Sequence, residues 1–104
     1  MVGSHCAEYY AQKKNSVIIV DNLMRSAIFG SDKKSVEYNW SYLHRYKNIV
    51  FEKKDIRDRA AMKKCFDQYR PDVVLHAAAQ PGVRFSLDHS YEDFTINGLG
   101  SVIV

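Results

Sequence analysis

Apolar residues along this chain fall into two alternating periods. Between Gly3 and Lys14, Cys6, Ala7, Tyr10 and Ala11 recur at helical spacing, and Asn15 follows as a residue suited to a left-handed helix stop. Residues 17–20 are four β-branched residues in succession, the pattern of a strand buried on both faces, and the run closes on Asp21. Residues 22–34 read as a loop. Val36, Trp40 and Leu43 then mark one face of a helix running to about Tyr46, and residues 49–51 form a second buried strand. That strand leads into Asp55. Asp58 is a candidate N-cap for a helix with the stripe Ala61, Met62, Cys65, Phe66 and Tyr69, which Pro71 ends. Val73, Val74 and Leu75 read as a third buried strand, followed by Ala77, Ala78, Ala79 and a loop containing Pro81 and Gly82. A last helix starts near Ser90 and is still apolar at Val102, Ile103 and Val104.

Strands that alternate with helices predict an α/β fold with a parallel sheet. With 104 residues, 46% hydrophobic and 26% charged, the chain suits one small domain with a single core and not a disordered tail. No apolar run approaches the roughly 18–20 residues of a membrane span, and the N-terminal MVGSHCAEYY lacks a basic region followed by an apolar core, so no membrane partner and a cytoplasmic location are expected. Cys6 and Cys65 stand far apart without a CxxC pair and read as small buried hydrophobes. His5, His44, His76 and His89 share no metal-ligand spacing, so no metal is expected. The net charge of +3, from 15 basic and 12 acidic residues, is too balanced to indicate a nucleic-acid partner. Tyr38, Trp40, Tyr42 and Tyr46 stand at helical spacings, which favours packing over base stacking.

Four segments add a family signal: Gly3 and Ser4 opening a helix, DNL from Asp21 to Leu23, KDIRD from Lys54 to Asp58, and HAAAQPGVRFS from His76 to Ser86. In this order they resemble the extended short-chain dehydrogenase/reductase family, in particular its nucleotide-sugar epimerases and dehydratases. GSDKKSVEYNW with the following YLHRYKN is similar to CDP-paratose 2-epimerase-like proteins, and AAQPGVRFS is similar to the AAQxGVRxS pattern of UDP-glucuronate 4-epimerases. The resemblance implies a partial Rossmann-like parallel sheet with flanking helices over residues 1–104, lacking the first strand and the C-terminal part of the family fold. Family sheets run in the order 3-2-1-4-5. The strands at Val17 and Val73 are then expected either to pair with each other or to leave exposed edges in a marginally stable, aggregation-prone chain.

The same resemblance implies NAD as cofactor and places its contacts. Gly3 matches only the tail of the family's GxxGxxG turn, where a pyrophosphate meets backbone N–H groups at a helix N-terminus. Asp21, with Asn22 beside it, would accept hydrogen bonds from the adenosine ribose hydroxyls and repel a 2′-phosphate; the alternative for Asp21 is a helix or turn cap. Arg25 lies close enough to blur that preference. Asp55 and Ile56 match the pair that touches adenine. Ala77, Ala78 and Ala79 match a segment passing under the cofactor, with tight packing as the alternative. Asn97 matches the asparagine of NxxGT near the nicotinamide, here NGLGS, and Arg84 and Ser86 match contacts to phosphate or sugar, against an ordinary exposed loop arginine. Met24 and Lys54 depart from the family's serine and glycine.

Family catalysis uses YxxxK, in which a lysine and the cofactor lower a tyrosine pKa for proton transfer. Tyr9 with Lys13 and Tyr10 with Lys14 have that spacing, but they lie in the first helix rather than on the later helix that carries the family pair, so no catalytic residue is assigned. The expected function is therefore the N-terminal NAD-binding segment of a nucleotide-sugar epimerase or dehydratase, without turnover alone. In that family the substrate is a nucleotide sugar and the full-length enzyme can be a homodimer. Two alternatives stand beside it: a weak adenine-nucleotide-binding module, and a small basic interaction protein using Arg25, Lys33, Lys34, Arg45 and Lys47.

Overall fold

The computed structural model describes residues 2–25 and 33–104, with side chains from residue 37 onward in the second stretch. Of the expected loop over residues 22–34, residues 26–32 lie outside the described residues, as do the side chains of Lys33, Lys34 and Val36, and its last two residues, Lys33 and Lys34, are helical instead. Two compact units divide the chain, Met1–Lys53 and Lys54–Val104.

In the first unit, α1 (Val2–Gln12) leads into β1 (Val17–Asp21), and α2 (Lys33–Leu43) leads into β2 (Ile49–Lys53). The two strands pair in parallel, with Val17 opposite Ile49 and Asp21 opposite Lys53. Helix α1 stops through a Schellman-type closure: Lys14 takes the left-handed conformation at φ 65°, and the Asn15 N–H donates to Tyr10 O at 3.1 Å. The stop residue is thus Lys14, and Asn15 contributes its side chain instead, Nδ2 donating to the same carbonyl at 3.2 Å. One residue ties the helix end to the sheet. Asn48 Nδ2 donates to Ala11 O at 2.9 Å and to Asn15 O at 2.7 Å, while its carbonyl accepts from the Val17 N–H.

Ala7 and Ala11, one turn apart on α1, pack with Leu43 and Ile49 to form the core of this unit, ringed by Val17, Ile19, Tyr42, Tyr46 and Phe51. Trp40 meets Phe51 edge to face at 4.8 Å. Glu8 accepts hydrogen bonds from both Tyr42 and Tyr46 hydroxyls, each at 2.8 Å. These bonds, Tyr42's first, hold the Glu8 carboxyl below its ordinary range, and the same bond raises Tyr42. The expectation of strands buried on both faces is corrected: residues 17–20 are only half-buried and Val50 is exposed. Among the described residues each strand has one neighbour, so one edge of each stays open to solvent.

In the second unit, α3 (Arg59–Tyr69) starts at the expected cap, Asp58 accepting from the Ala61 N–H at 3.0 Å, and ends at Arg70 in the left-handed conformation at φ 43°. Its buried residues are Met62 and Cys65; Cys6, expected to be buried too, is only half-buried. The third strand is a second correction. Among the described residues the sheet has two strands, and Val73, Val74 and Leu75 are 73%, 47% and 55% exposed. Two β-branched valines supply propensity, but a strand exists only where a neighbour accepts its backbone groups. Helix α4 (Val83–Asp88) was hidden behind the loop signal of Pro81 and Gly82. The last helix begins at Ser90 as expected: α5 (Ser90–Phe94), a π-helical turn (Thr95–Leu99) and α6 (Gly100–Ile103) follow with helical backbone throughout.

Candidate functional site

Of the residues expected to hold a cofactor, Gly3, Asp21 and Asn22 belong to the first unit. Gly3 is exposed in the first turn of α1. Asp21 ends β1, exposed, at the carboxyl end of the strand where open α/β sheets bind ligands. Its Oδ1 accepts from the Leu23 N–H at 2.7 Å, and Asn22 Oδ1 accepts from the Met24 N–H at 3.1 Å, so both residues shape the turn in which Leu23 sits at φ 58°. The turn-cap role is therefore real for Asp21. It occupies one carboxylate oxygen of an exposed residue, and a carboxylate has further capacity to accept.

Asp55 and Ile56 are already engaged within the second unit. Arg57 grips Asp55 from three sides: its N–H and Nε donate to Oδ1, each at 2.9 Å, and Nη2 donates to Oδ2 at 2.6 Å. This bond raises the Arg57 pKa, so the guanidinium is charged at any working pH. An amine approaching the Asp55 carboxylate must share it with Arg57. Ile56 is buried against Gly100 on α6, where a methyl in place of the glycine hydrogen would lie 2.5 Å from Cδ1 and 2.8 Å from Cγ1 of Ile56. At Gly100, the second glycine of NGLGS, a larger side chain would require Ile56 to shift.

Ala77, Ala78 and Ala79 are exposed, and the chain that carries them is held at both ends of its approach to α4. His76 Nε2 lies 2.9 Å from Ser101 Oγ, which itself donates to Asn97 O at 2.7 Å. Gln80 is 4% exposed, and its main chain is bracketed by Asn97: Oδ1 accepts from the Gln80 N–H at 2.8 Å and Nδ2 donates to Gln80 O at 2.9 Å. Asp93 Oδ1 takes hydrogen bonds from Gln80 Nε2 at 3.0 Å, Ser86 Oγ at 2.8 Å and Asn97 Nδ2 at 3.0 Å. Ser86 therefore points into this network, whereas Arg84 is exposed on α4. Sequence reasoning missed Arg57, Gln80 and Asp93. The one available signal was Asp93 with Asn97, a carboxylate and an amide four residues apart on a helix.

Neither YxxxK match forms a proton-transfer pair. Lys13 Nζ lies 5.7 Å from the centre of the Tyr9 ring, over its face rather than at its hydroxyl, and Tyr9 meets Tyr10 edge to face at 5.3 Å. Both tyrosines are exposed on α1. No helix among the described residues is long and apolar enough to cross a membrane.

A family profile described as GDP-mannose 4,6 dehydratase matches residues 1–104. CDP-paratose 2-epimerase of Salmonella typhi is 29% identical over 101 residues, covering 97% of this chain and 28% of that protein. UDP-glucuronate 4-epimerase of Thermodesulfobacterium geofontis is 31% identical over 102 residues, covering 93% of this chain and 29% of that protein. Among solved structures, UDP-glucose 4-epimerase of Thermotoga maritima, crystallised with UDP-glucose, superposes with a TM-score of 0.76 at 27% identity, covering 99% of this chain and 29% of that one. The chain thus spans less than a third of the length of these relatives. A match over every residue, joined to a Rossmann-like parallel strand pair whose first strand ends on Asp21, shows that this chain belongs to the extended short-chain dehydrogenase/reductase family of nucleotide-sugar epimerases and dehydratases.

Proposed function

We propose that this chain is the cofactor-side segment of a nucleotide-sugar epimerase or dehydratase, and that its own residual activity is weak binding of the adenosine part of NAD. One observation carries the reading: Asp21 stands exposed at the carboxyl end of β1 with one carboxylate oxygen accepting from the Leu23 N–H, the side chain's one hydrogen bond among the described residues, which leaves carboxylate capacity for the two ribose hydroxyls. Asn22 supports that carboxylate by holding the turn after it. Asp55 is engaged by Arg57 and Ile56 by the packing against Gly100, both within the second unit, and neither is counted toward the contact at Asp21. The contact that Asp21 offers is one to the adenosine ribose.

NAD, when bound, supplies hydride acceptance; the part of this chain is to hold and orient adenosine. Turnover on a nucleotide sugar is assigned to the larger enzyme, in the cytoplasm, and not to this chain alone, because Tyr9 and Tyr10 lack a lysine placed at their hydroxyls. Ligand-observed NMR with adenosine and 2′-AMP tests the reading. Adenosine should bind and 2′-AMP should not, since a 2′-phosphate meets the Asp21 carboxylate, and Asp21→Asn should weaken adenosine while removing that discrimination. Equal binding of the two ligands, or an Asp21→Asn chain indistinguishable from the parent, contradicts it.

A further inference from the structure

Gln80 is the one buried polar residue among the described residues, and its surroundings are unusually complete. The Asn97 side chain pairs with both main-chain groups of Gln80, as a neighbouring strand would, and spends its remaining amide hydrogen on Asp93. No donor on Asn97 is left for a ligand. Asp93 in turn gathers three donors on one oxygen, from Gln80, Ser86 and Asn97, which joins the π-helical turn and α4 to the chain that follows the three alanines. The Gln80 side chain closes the loop, its Oε1 accepting from the Gly82 N–H and its Nε2 lying 3.1 Å from Gly82 O.

We propose that Asp93 and Gln80 are positioning residues: with Asn97 they latch the main chain between Ala79 and Gly82 in one path, and Asn97 acts on the nicotinamide half of a cofactor through that path rather than by touching it. This rests on the nucleotide-binding reading above. It departs from the expectation that Asn97 is itself a contact. A residue that works through the latch can be replaced by any arrangement that rebuilds the latch, whereas a direct contact cannot. Asn97→Asp keeps the acceptor for the Gln80 N–H but loses both donors and sets two carboxylates side by side. The swap Asp93→Asn with Asn97→Asp restores a donor and an acceptor between the two positions and leaves only Gln80 O without its partner.

The test measures amide hydrogen exchange at Gln80 in the full chain, together with ligand-observed NMR using nicotinamide mononucleotide and adenosine separately. Asn97→Asp should speed exchange at Gln80 by about tenfold or more, a local opening, and reduce the mononucleotide signal. The swap should recover most of both, and adenosine should bind equally to all three chains. Recovery of Gln80 protection without recovery of the mononucleotide signal overturns the proposal, because Asn97 would then be a direct contact. Unchanged Gln80 exchange in Asn97→Asp overturns it as well. Should Asn97→Asp fail to fold, the swap and Ser86→Ala, which removes one of the three donors to Asp93, are compared with the parent in its place. A parent chain that binds adenosine but not the mononucleotide defeats this inference alone, and one that binds neither defeats the nucleotide-binding reading.

Discussion

Replacing Gly100 with alanine sets two effects of known size against each other. In an exposed helix the change stabilises by about 1 kcal/mol, because alanine loses less backbone freedom than glycine. At Gly100 the new methyl would lie 2.5 Å from Ile56 Cδ1 and 2.8 Å from Cγ1, whereas carbon atoms at rest sit about 3.5–4.0 Å apart. Ile56 must therefore move by roughly 1 Å inside a buried site, and overpacking of that kind costs about 1–3 kcal/mol. The net expectation is a loss of about 1 kcal/mol. Ile56→Val, which deletes Cδ1, should cost about 0.5–1.5 kcal/mol alone. In the Ile56→Val background Gly100→Ala should cost less, because the 2.5 Å contact with Cδ1 is gone while the 2.8 Å contact at the γ carbon remains, giving a coupling of about 0.5–1 kcal/mol. Urea denaturation followed by far-ultraviolet circular dichroism measures all four chains, provided the m-value is unchanged. Gly100→Ala stabilising the parent, with additive effects in the double variant, would refute the claim that a larger side chain here requires Ile56 to shift.

Other consequences follow from the first unit and from the exposed apolar segment. Because Glu8 has its pKa lowered by the Tyr42 and Tyr46 hydroxyls, its contribution to stability is full above the unfolded value of about 4.3 and is lost as pH falls through the lower folded value. Tyr42, raised by the same bond, contributes below its unfolded value of about 10 and loses that as pH rises through the raised one. Glu8→Gln should flatten the acid limb of Tm against pH; an unchanged acid limb contradicts the assignment. Leu43, 3% exposed against Ala7, Ala11 and Ile49, should cost about 2–5 kcal/mol on change to alanine, read as a shift in the urea midpoint. Val74→Lys places a charge in the exposed run of residues 73–75 and should reduce self-association in analytical ultracentrifugation with little change in Tm.

Local signals were legible where the physics is local. The Asp58 cap, the stripe of α3 and the β-branched run of β1 each carry their cause within a few residues, and each element formed. Val73, Val74 and Leu75 carry the same propensity without a strand, because pairing depends on a partner that propensity cannot report. At the candidate site the motif positions were readable, but their partners were not. Nothing in KDIRD says that Arg57 folds back on Asp55, since the contact depends on the turn geometry after β2. Gln80 and Asp93 lie 13 residues apart and meet only because α4 and the last helix fold back beside the chain. Asn97 was recognised by its motif, while its work on the Gln80 main chain required coordinates.

The most direct test of nucleotide binding at the end of β1 is calorimetric titration of the chain with adenosine and with NAD, before and after Asp21→Ala. Hydrogen bonds to the carboxylate contribute about 1.5–3 kcal/mol each, set against several kcal/mol of lost translational and rotational freedom. Binding should therefore fall between high micromolar and millimolar. Both ligands present the same ribose to the Asp21 carboxylate, so Asp21→Ala should abolish the adenosine signal and weaken that of NAD by about tenfold or more. Micromolar NAD binding, at least about tenfold tighter than adenosine and surviving Asp21→Ala, would contradict the account by locating the affinity at a phosphate site instead of at Asp21.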